Sequence, residues 1–203
     1  QDRSITVGKE TYKLPSFSFA IATMNPIELG QGTFPLSEAA TDRFAIMVNI
    51  GYLPPAEEEK LVTFDFKKVQ LNGLMSKDRV LELRARIGQQ VFLHEALGKY
   101  IRRLVSATRP YSPENDWFQR SPSHLVEQYV ELGGSPRATI CWGRLVKVWA
   151  LLSGKRDEVY PEDVQELAPY ILGHRIWLAP HATSRDIRVN TVIDEILETV
   201  PIP

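Results

Sequence analysis

Three polar side chains in this sequence are of types that handle phosphate groups: Asn25, Arg43 and Arg137. Transfer of a phosphoryl group needs little covalent chemistry from a protein, but it needs a positioned water and positive charge near the phosphate. An amide can hold the water, and the planar fork of an arginine fits the oxygens of a phosphate. The three residues are therefore candidates for phosphate contacts.

Asn25 stands just beyond a mostly apolar run, Phe17–Thr23, which predicts a strand buried on both faces. Open α/β sheets bind ligands outside the carboxyl ends of their strands, so an amide at this point would lie at the binding edge. Asn25 also precedes Pro26, and Asn before Pro commonly makes a turn. Taken alone, the turn is the more common role of such a residue.

The two arginines are also ambiguous when each is taken alone. Arg43 follows Asp42 and could reach a phosphate of a neighbouring subunit, or form a salt bridge to Asp42 or Glu38. Arg137 falls in the first turn of a predicted helix, where the helix dipole disfavours a cation. An anion that also comes to this turn would explain Arg137; the alternative is a solvated side chain.

The elements that must position these residues change in kind along the chain. Ser4–Val7 and Thr11–Leu14 predict a hairpin, and Phe44–Tyr52 predicts a second apolar strand. From Ser76 onward the pattern is helical, so we expect two modules with a linker near Val69–Met75. The predicted helices are Leu36–Arg43, one beginning at Pro54-Pro55, Ser76–Ile87, His94–Thr108, His124–Leu132, one from Ser135-Pro136 to about Ser153, Pro161–Leu172 and Asn190–Thr199, and a loop is predicted at Pro110–Pro122.

The composition is that of an ordinary globular protein, with 43% apolar and 24% charged residues. The net charge of −1 gives no sign of nucleic acid or an anionic membrane as a partner. Cys141 is the single cysteine, so no internal disulfide can form, and a reducing, cytoplasmic setting is expected. No apolar stretch approaches the roughly 18 residues of a transmembrane helix. The start has neither a signal-peptide core nor a Met, which suggests a fragment.

The motifs together resemble the MoxR family of AAA+ ATPases, whose members carry ATxNPxExxGTxPLxEAxxDRF and, later, GxSPRA. The leading hairpin, the ending VIDEILETVPIP and nearly the whole chain between them share the resemblance, although Met24 and Gly134 stand where Gln and Ala are commoner. The matching residues are Ala22-Thr23, Asn25-Pro26, Glu28, Gly32-Thr33, Pro35-Leu36, Glu38-Ala39, Asp42-Arg43-Phe44, Gly134-Ser135-Pro136-Arg137-Ala138, Tyr160-Pro161-Glu162-Asp163-Val164 and His174-Arg175.

The resemblance implies a role for each candidate residue. Asn25 corresponds to sensor 1, and Arg43 to the arginine finger that reaches the ATP of the next subunit in a ring. Arg137 corresponds to sensor 2, which reaches the γ-phosphate of its own subunit's ATP. The hairpin at 4–14 corresponds to the pre-sensor-1 insertion.

The resemblance also implies the fold: an α/β remnant of an AAA+ P-loop NTPase core followed by an all-α lid domain. Residues 1–68 would be the C-terminal part of the core, and residues 76–203 the lid. The implied function is ATP-driven, chaperone-like remodelling or maturation of client protein complexes by a homo-oligomeric ring, a hexamer. A protein with a von Willebrand factor A domain is an implied partner.

ATP and Mg²⁺ are the implied cofactors, yet the sequence lacks the motifs that would bind most of the phosphate groups of ATP and the Mg²⁺ ion. It contains no GxxxxGK[ST] loop, and no apolar strand ends in Asp-Glu. The P-loop and the Walker B acid would lie upstream of this chain, so we predict a C-terminal fragment that hydrolyses no ATP alone. Two alternatives remain: a non-catalytic protein-interaction module, and a nucleic-acid-remodelling relative, against which the neutral net charge argues.

The remaining reactive or aromatic side chains favour structural roles. The four histidines have no metal-binding spacing, so no metal site is expected. Cys141 falls on an apolar helix stripe and is expected to be a buried, inert thiol. Trp142, Trp149 and Trp177 are expected to pack in the lid rather than stack on bases.

Overall fold

The computed structural model describes residues 4–24, 36–110 and 121–203. The chain begins with an antiparallel hairpin of β1 (Ser4–Val7) and β2 (Glu10–Lys13), in which Ile5 pairs with Tyr12. Gly8 takes a positive φ of 65° in the connecting turn, a conformation that favours glycine. The hairpin predicted from the sequence is confirmed.

Short helices connect the hairpin to the second module. They are α1 (Glu38–Thr41), α2 (Pro55–Leu61) and a single 3₁₀ turn at Phe66–Lys68. The proline at the start of α2 and the acids of its first turn are both favourable at a helix N-terminus, as the sequence predicted.

The second module is mostly helical. Its elements are α3 (Lys77–Gln90), α4 (Glu95–Ala107), α5 (His124–Tyr129), β3 (Val130–Leu132), α6 (Pro136–Gly154), α7 (Pro161–Leu172), β4 (Trp177–Leu178), α8 (Pro180–Thr183) and α9 (Val189–Thr199). The central helix α6 packs against α3, α4 and α7, and α9 packs against α4, α5 and α7.

The hydrophobic core lies in this helical module, between Val91 and Val200. Trp142 of α6 is fully buried, and its indole N–H donates to the carbonyl of Val164 at 3.2 Å. Because the described residues from 4 to 75 contribute no apolar side chain to the buried core, the helical module provides the framework on which the earlier segments rest.

Three sequence predictions about the elements are wrong. Phe17–Thr23 and Phe44–Tyr52 are not strands, because a strand needs paired neighbours and the described residues offer none beside either run. Tyr52, at the end of the second run, is 98% exposed. The second module is mostly helical, as predicted, but the helix predicted over 124–132 ends at Tyr129, and β3 then pairs with β4.

The predicted site residue Asn25 and most of the predicted loop Pro110–Pro122 lie outside the described residues. None of the described helices is both long and apolar enough to cross a membrane.

Candidate functional site

The loop that leads into α6 is fixed against the end of α4. A Cβ on Gly133 would lie 2.3 Å from the carbonyl oxygen of Thr108, so this close approach requires glycine. The amide of Gly134 donates to Thr108 Oγ1 at 2.8 Å, and Arg109 Nε donates to the Gly134 carbonyl at 2.8 Å. These contacts fix the place at which Ser135 and α6 begin.

Ser135 caps α6, as its sequence position predicted. Its Oγ accepts from the amide of Arg137 at 3.1 Å and donates to the carboxylate of Asp42 at 2.7 Å. Arg137 Nη1 lies 3.3 Å from the same carboxylate oxygen, and the Arg137 side chain remains 43% exposed. An anion from the first module therefore comes to the first turn of α6, which offsets the unfavourable dipole there.

Arg175, just beyond α7, is the buried cation of the site, with its side chain 1% exposed. Its Nε donates to the Asp42 carboxylate at 3.1 Å, and its Nη2 donates to the backbone carbonyls of Asp42, at 3.1 Å, and Phe44. Its Nη1 donates to the carbonyls of Ala45, at 3.3 Å, and Ile171. One guanidinium thus satisfies several acceptors that would otherwise be costly to bury.

Further contacts hold the same segment of the first module on the second. His174 Nε2 lies 3.1 Å from the Phe44 carbonyl, and Cys141 Sγ lies 3.5 Å from the Ala45 carbonyl. The amide of Met47 donates to the carbonyl of Tyr170 at 2.9 Å. We call residues 42–47, together with their partners on α6 and around the end of α7, the Asp42 junction.

The junction shifts the pKa values of three of its groups. Burial raises the pKa of Asp42, but hydrogen bonds from Ser135, Arg137 and Arg175 and the charge of Arg175 outweigh it, so the pKa lies below its usual value. Burial, together with the charge of Arg175, lowers the pKa of His174. Burial raises the pKa of Cys141, which favours the unreactive thiol expected from the sequence.

Arg43 differs from the other arginines of the junction. Its side chain is exposed and has no hydrogen bond or ion pair with any residue in the described ranges. The salt bridges to Asp42 and Glu38 that the sequence allowed are absent there. The Asp42 carboxylate is instead occupied by Arg175, Arg137 and Ser135.

The structure therefore brings two predicted site residues, Arg43 and Arg137, to one place around Asp42, while Asn25 lies outside the described residues. Sequence reasoning missed Arg175 and Asp42 as parts of the site. Both stand in matched motifs, Asp42 directly before Arg43 and Arg175 after His174. The missing signal was the contact between Arg175 and Asp42, which are 133 positions apart in the sequence.

The donor set fits part of a nucleotide site. Arg43 is exposed and Arg137 is partly exposed at this junction, and a guanidinium group suits the charge of a phosphate. Magnesium needs carboxylate oxygens, and within the described ranges no three His, Cys, Asp or Glu side chains lie close enough together to hold a metal ion. The described part of the chain thus has cations at the Asp42 junction but no group of side chains for a magnesium ion.

Comparison with known families assigns the class of protein. Residues 123–196 match the family model for the AAA lid domain, and residues 1–46 match the ATPase family associated with various cellular activities (AAA). The junction between a short core remnant and a mostly helical lid is thus that of an AAA ATPase.

Individual relatives indicate which family of AAA ATPases this chain resembles. The chain is 36% identical over its whole length to "Chaperone MoxR1" of Mycobacterium tuberculosis and 27% identical to "Protein MoxR" of Methylorubrum extorquens, covering 52% and 60% of those proteins. It superposes with a TM-score of 0.82 and 35% identity on the crystal structure of a Cytophaga hutchinsonii protein assigned as an ATPase, covering 99% of this chain and 59% of that one. The chain belongs to the MoxR family of AAA ATPases, as its C-terminal portion with the lid domain. It spans about half the length of the curated relative with which it shares 36% identity.

Proposed function

We propose that this chain supplies the charge-sensing part of a MoxR-type ATPase, with Arg43 as the arginine finger, Arg137 as sensor 2 and Asn25 as sensor 1. The observation that carries the proposal is the contrast at the Asp42 junction. Asp42 is fully engaged by Arg175, Arg137 and Ser135, whereas its neighbour Arg43 is exposed and unpaired within the described ranges. A solvated cation on a fixed base suits an anion that another molecule brings.

The contact between Arg137 and Asp42 bears on which subunit's nucleotide Arg43 and Arg137 would contact. Because Asp42 directly precedes Arg43, the 3.3 Å contact brings the Arg137 side chain close to the backbone of Arg43. We propose that both arginines face the same phosphate, that of the neighbouring subunit. This differs from the sequence expectation, which assigned Arg137 to the ATP of its own subunit.

The residues of this chain would act through charge rather than through bonds. ATP with Mg²⁺ supplies the phosphoryl group that is transferred. Arg43 offsets negative charge on it, as finger arginines do. Arg137, whose side chain is partly exposed, can turn from the Asp42 carboxylate toward the phosphate, and Arg175 keeps that carboxylate paired when it does so.

The activity of the whole protein is part of the same proposal. We propose ATP-driven, chaperone-like remodelling or maturation of client protein complexes by a homo-oligomeric ring, a hexamer, with a von Willebrand factor A domain protein as a partner. The support is the family and the name of the relative "Chaperone MoxR1". Residues 1–68 would belong to the core and 76–203 to the lid. Because the sequence has no P-loop motif, we expect the chain alone to hydrolyse no ATP.

The test of the finger is Arg43→Ala in the complete ATPase. We expect kcat to fall by roughly 10³- to 10⁵-fold, the contribution of an arginine finger, while ATP binding persists. The measurement is steady-state ATP turnover beside equilibrium binding of a fluorescent ATP analogue. Arg185→Ala, at another exposed arginine, is the matched control and should retain activity. Wild-type turnover in the Arg43 variant would reject the proposed role.

A further inference from the structure

Arg175 directs its hydrogen bonds to the first module at the residues around Arg43. Its Nε reaches the carboxylate of Asp42, and its two Nη atoms reach the carbonyls of Asp42, Phe44 and Ala45. The proposed finger thus lies within a short stretch in which the carbonyls of Asp42, Phe44 and Ala45 all accept from one buried guanidinium.

One nitrogen holds the backbone on both sides of Arg43. The carbonyls of Asp42 and Phe44 precede and follow this residue, and both accept from Arg175 Nη2. The amide of Arg43 also donates to the carbonyl of Ala40 at 3.2 Å. With these groups bound, the backbone torsions of Arg43 are confined, so the direction in which its side chain leaves the chain is fixed. The guanidinium tip stays exposed.

We propose that Arg175 is a positioning residue for Arg43: it fixes the backbone of the finger to the lid so that the finger meets the neighbouring phosphate at a defined place. The inference rests on the proposed function, because it assigns the finger role to Arg43. Catalytic groups need their geometry held by surrounding hydrogen bonds, and a misplacement of about 1 Å can cost roughly 10²-fold in rate.

The chemistry of arginine explains why this position would not accept lysine. A guanidinium presents five donors in a rigid fork, whereas an ammonium group is a single point with three donors. An ion pair to Asp42 alone needs only one nitrogen. The additional bonds to the carbonyls of Phe44 and Ala45 need the fork, and these are the bonds that hold the finger backbone.

The first test is hydrogen exchange in the 203-residue chain, which needs no nucleotide. Arg175→Lys should speed exchange of the amides of Arg43, Phe44 and Met47 by roughly tenfold or more, as expected from losing about one net hydrogen bond. Arg156→Lys is the matched control. Arg156 makes a two-nitrogen pair with Asp163, at 3.0 and 2.7 Å, away from the finger.

The outcomes of the exchange test are decisive in both directions. Faster exchange at these amides in Arg175→Lys but not in Arg156→Lys supports the proposal, and unchanged exchange overturns it. If the Arg175 variant does not fold, Asp42→Asn weakens the same contact without removing Arg175. It should speed exchange at the same amides, and wild-type rates would count against the proposal.

The second test is a double-mutant cycle in the complete ATPase. Arg175→Lys should lower kcat by roughly 10²-fold with little change in the KM for ATP, as expected for a displaced finger. In the Arg43→Ala background the same substitution should cause no further loss, since the group that Arg175 positions is already gone. Equal losses in both backgrounds would mean that Arg175 acts elsewhere and would overturn the inference.

The two proposals can fail separately. If Arg43→Ala alone keeps its full kcat, the finger assignment is wrong, and the inference about catalysis falls with it. If Arg43→Ala lowers kcat but Arg175→Lys leaves both exchange and kcat unchanged, the finger assignment stands and the positioning role is rejected.

Discussion

At the scale of single residues, the Asp42 junction is held together by one carboxylate that binds three different side chains. Asp42 accepts from a buried arginine, a partly exposed arginine and a serine, and these contacts outweigh the effect of burial on its pKa. Leaving a buried charge unpaired is strongly destabilising, whereas a paired one is tolerated. Arg175 therefore keeps Asp42 paired in its ionised form, in addition to the contact from the partly exposed Arg137.

His174 gives the junction a dependence on pH near neutrality. Burial, with the charge of Arg175, lowers its folded-state pKa below the value of about 6.5 expected for an unfolded chain. The unfolded chain then takes up the proton first as pH falls. The stabilising contribution is full above the unfolded pKa and is lost as pH falls through the folded pKa. We expect the urea midpoint of wild type, relative to His174→Gln, to decline from about pH 7.5 to about pH 5.5.

The measurement is urea unfolding of the 203-residue chain across that range. Both proteins have a neutral side chain at position 174 at the upper end, so the difference there is the reference for each lower pH. A difference between the two midpoints that does not change with pH would contradict the expected burial of this imidazole.

At the scale of elements, the helices and the first hairpin were predictable, whereas the strands β3 and β4 were not. Ser76 and Ser135 cap their helices, and Pro136 begins one, as the sequence indicated, because caps act within three residues. Strand pairing is not local. Val130–Leu132 continues an apolar helical pattern in sequence, yet it pairs with Trp177–Leu178 more than 40 residues later. Tertiary pairing overrode the local pattern.

The difference between local patterns and long-range contacts also applies to the candidate site. Arg43 and Arg137 were found because their motifs are local and specific, but nothing local reveals that Arg175 reaches back to Asp42. Only the packing of α7 and α6 around residues 42–47 makes that contact. Sequence motifs therefore identify the residues that could bind the ligand more readily than they identify the residues that hold those side chains in position.

The loop before α6 provides a matched pair of glycines for a test at this scale. A Cβ on Gly133 would lie 2.3 Å from the carbonyl of Thr108, whereas at Gly134 the nearest atom, Val105 Cγ1, would be 3.4 Å away. Gly133→Ala should destabilise the chain by about 1–3 kcal/mol through this clash. Gly134→Ala should be close to neutral, since it makes ordinary contacts and restricts the unfolded chain. Urea denaturation measures both, and equal effects would contradict the account of the loop.

At the scale of the whole molecule, the two modules differ in how complete they are by themselves. The helical module has its own buried core. The apolar side chains of residues 44–52, before α2, are instead mostly exposed to solvent, and Ile50 is 93% exposed. The relatives are longer, and this chain covers between 52 and 60% of each. The contrast suits a helical module that folds as a unit and a first module that has no strand partners for residues 44–52 among the described residues.

The proposed ring makes the position of Arg137 testable. Because Arg137 contacts Asp42 beside the finger, we expect both arginines to serve the ATP of the neighbouring subunit. Mixed rings of the complete protein can test this. One subunit carries Arg43→Ala with Arg137→Ala and an intact P-loop, and the other keeps both arginines but has its P-loop lysine replaced.

Each of these proteins should be inactive alone, and their mixture should regain ATP turnover, because intact arginines then face an intact P-loop across the interface. The control replaces the double variant with Arg43→Ala alone, which should regain activity wherever Arg137 acts. Recovery by the control but not by the double variant would assign Arg137 to the ATP of its own subunit. Its contact with Asp42 would then describe only a lid position that Arg137 leaves when nucleotide binds.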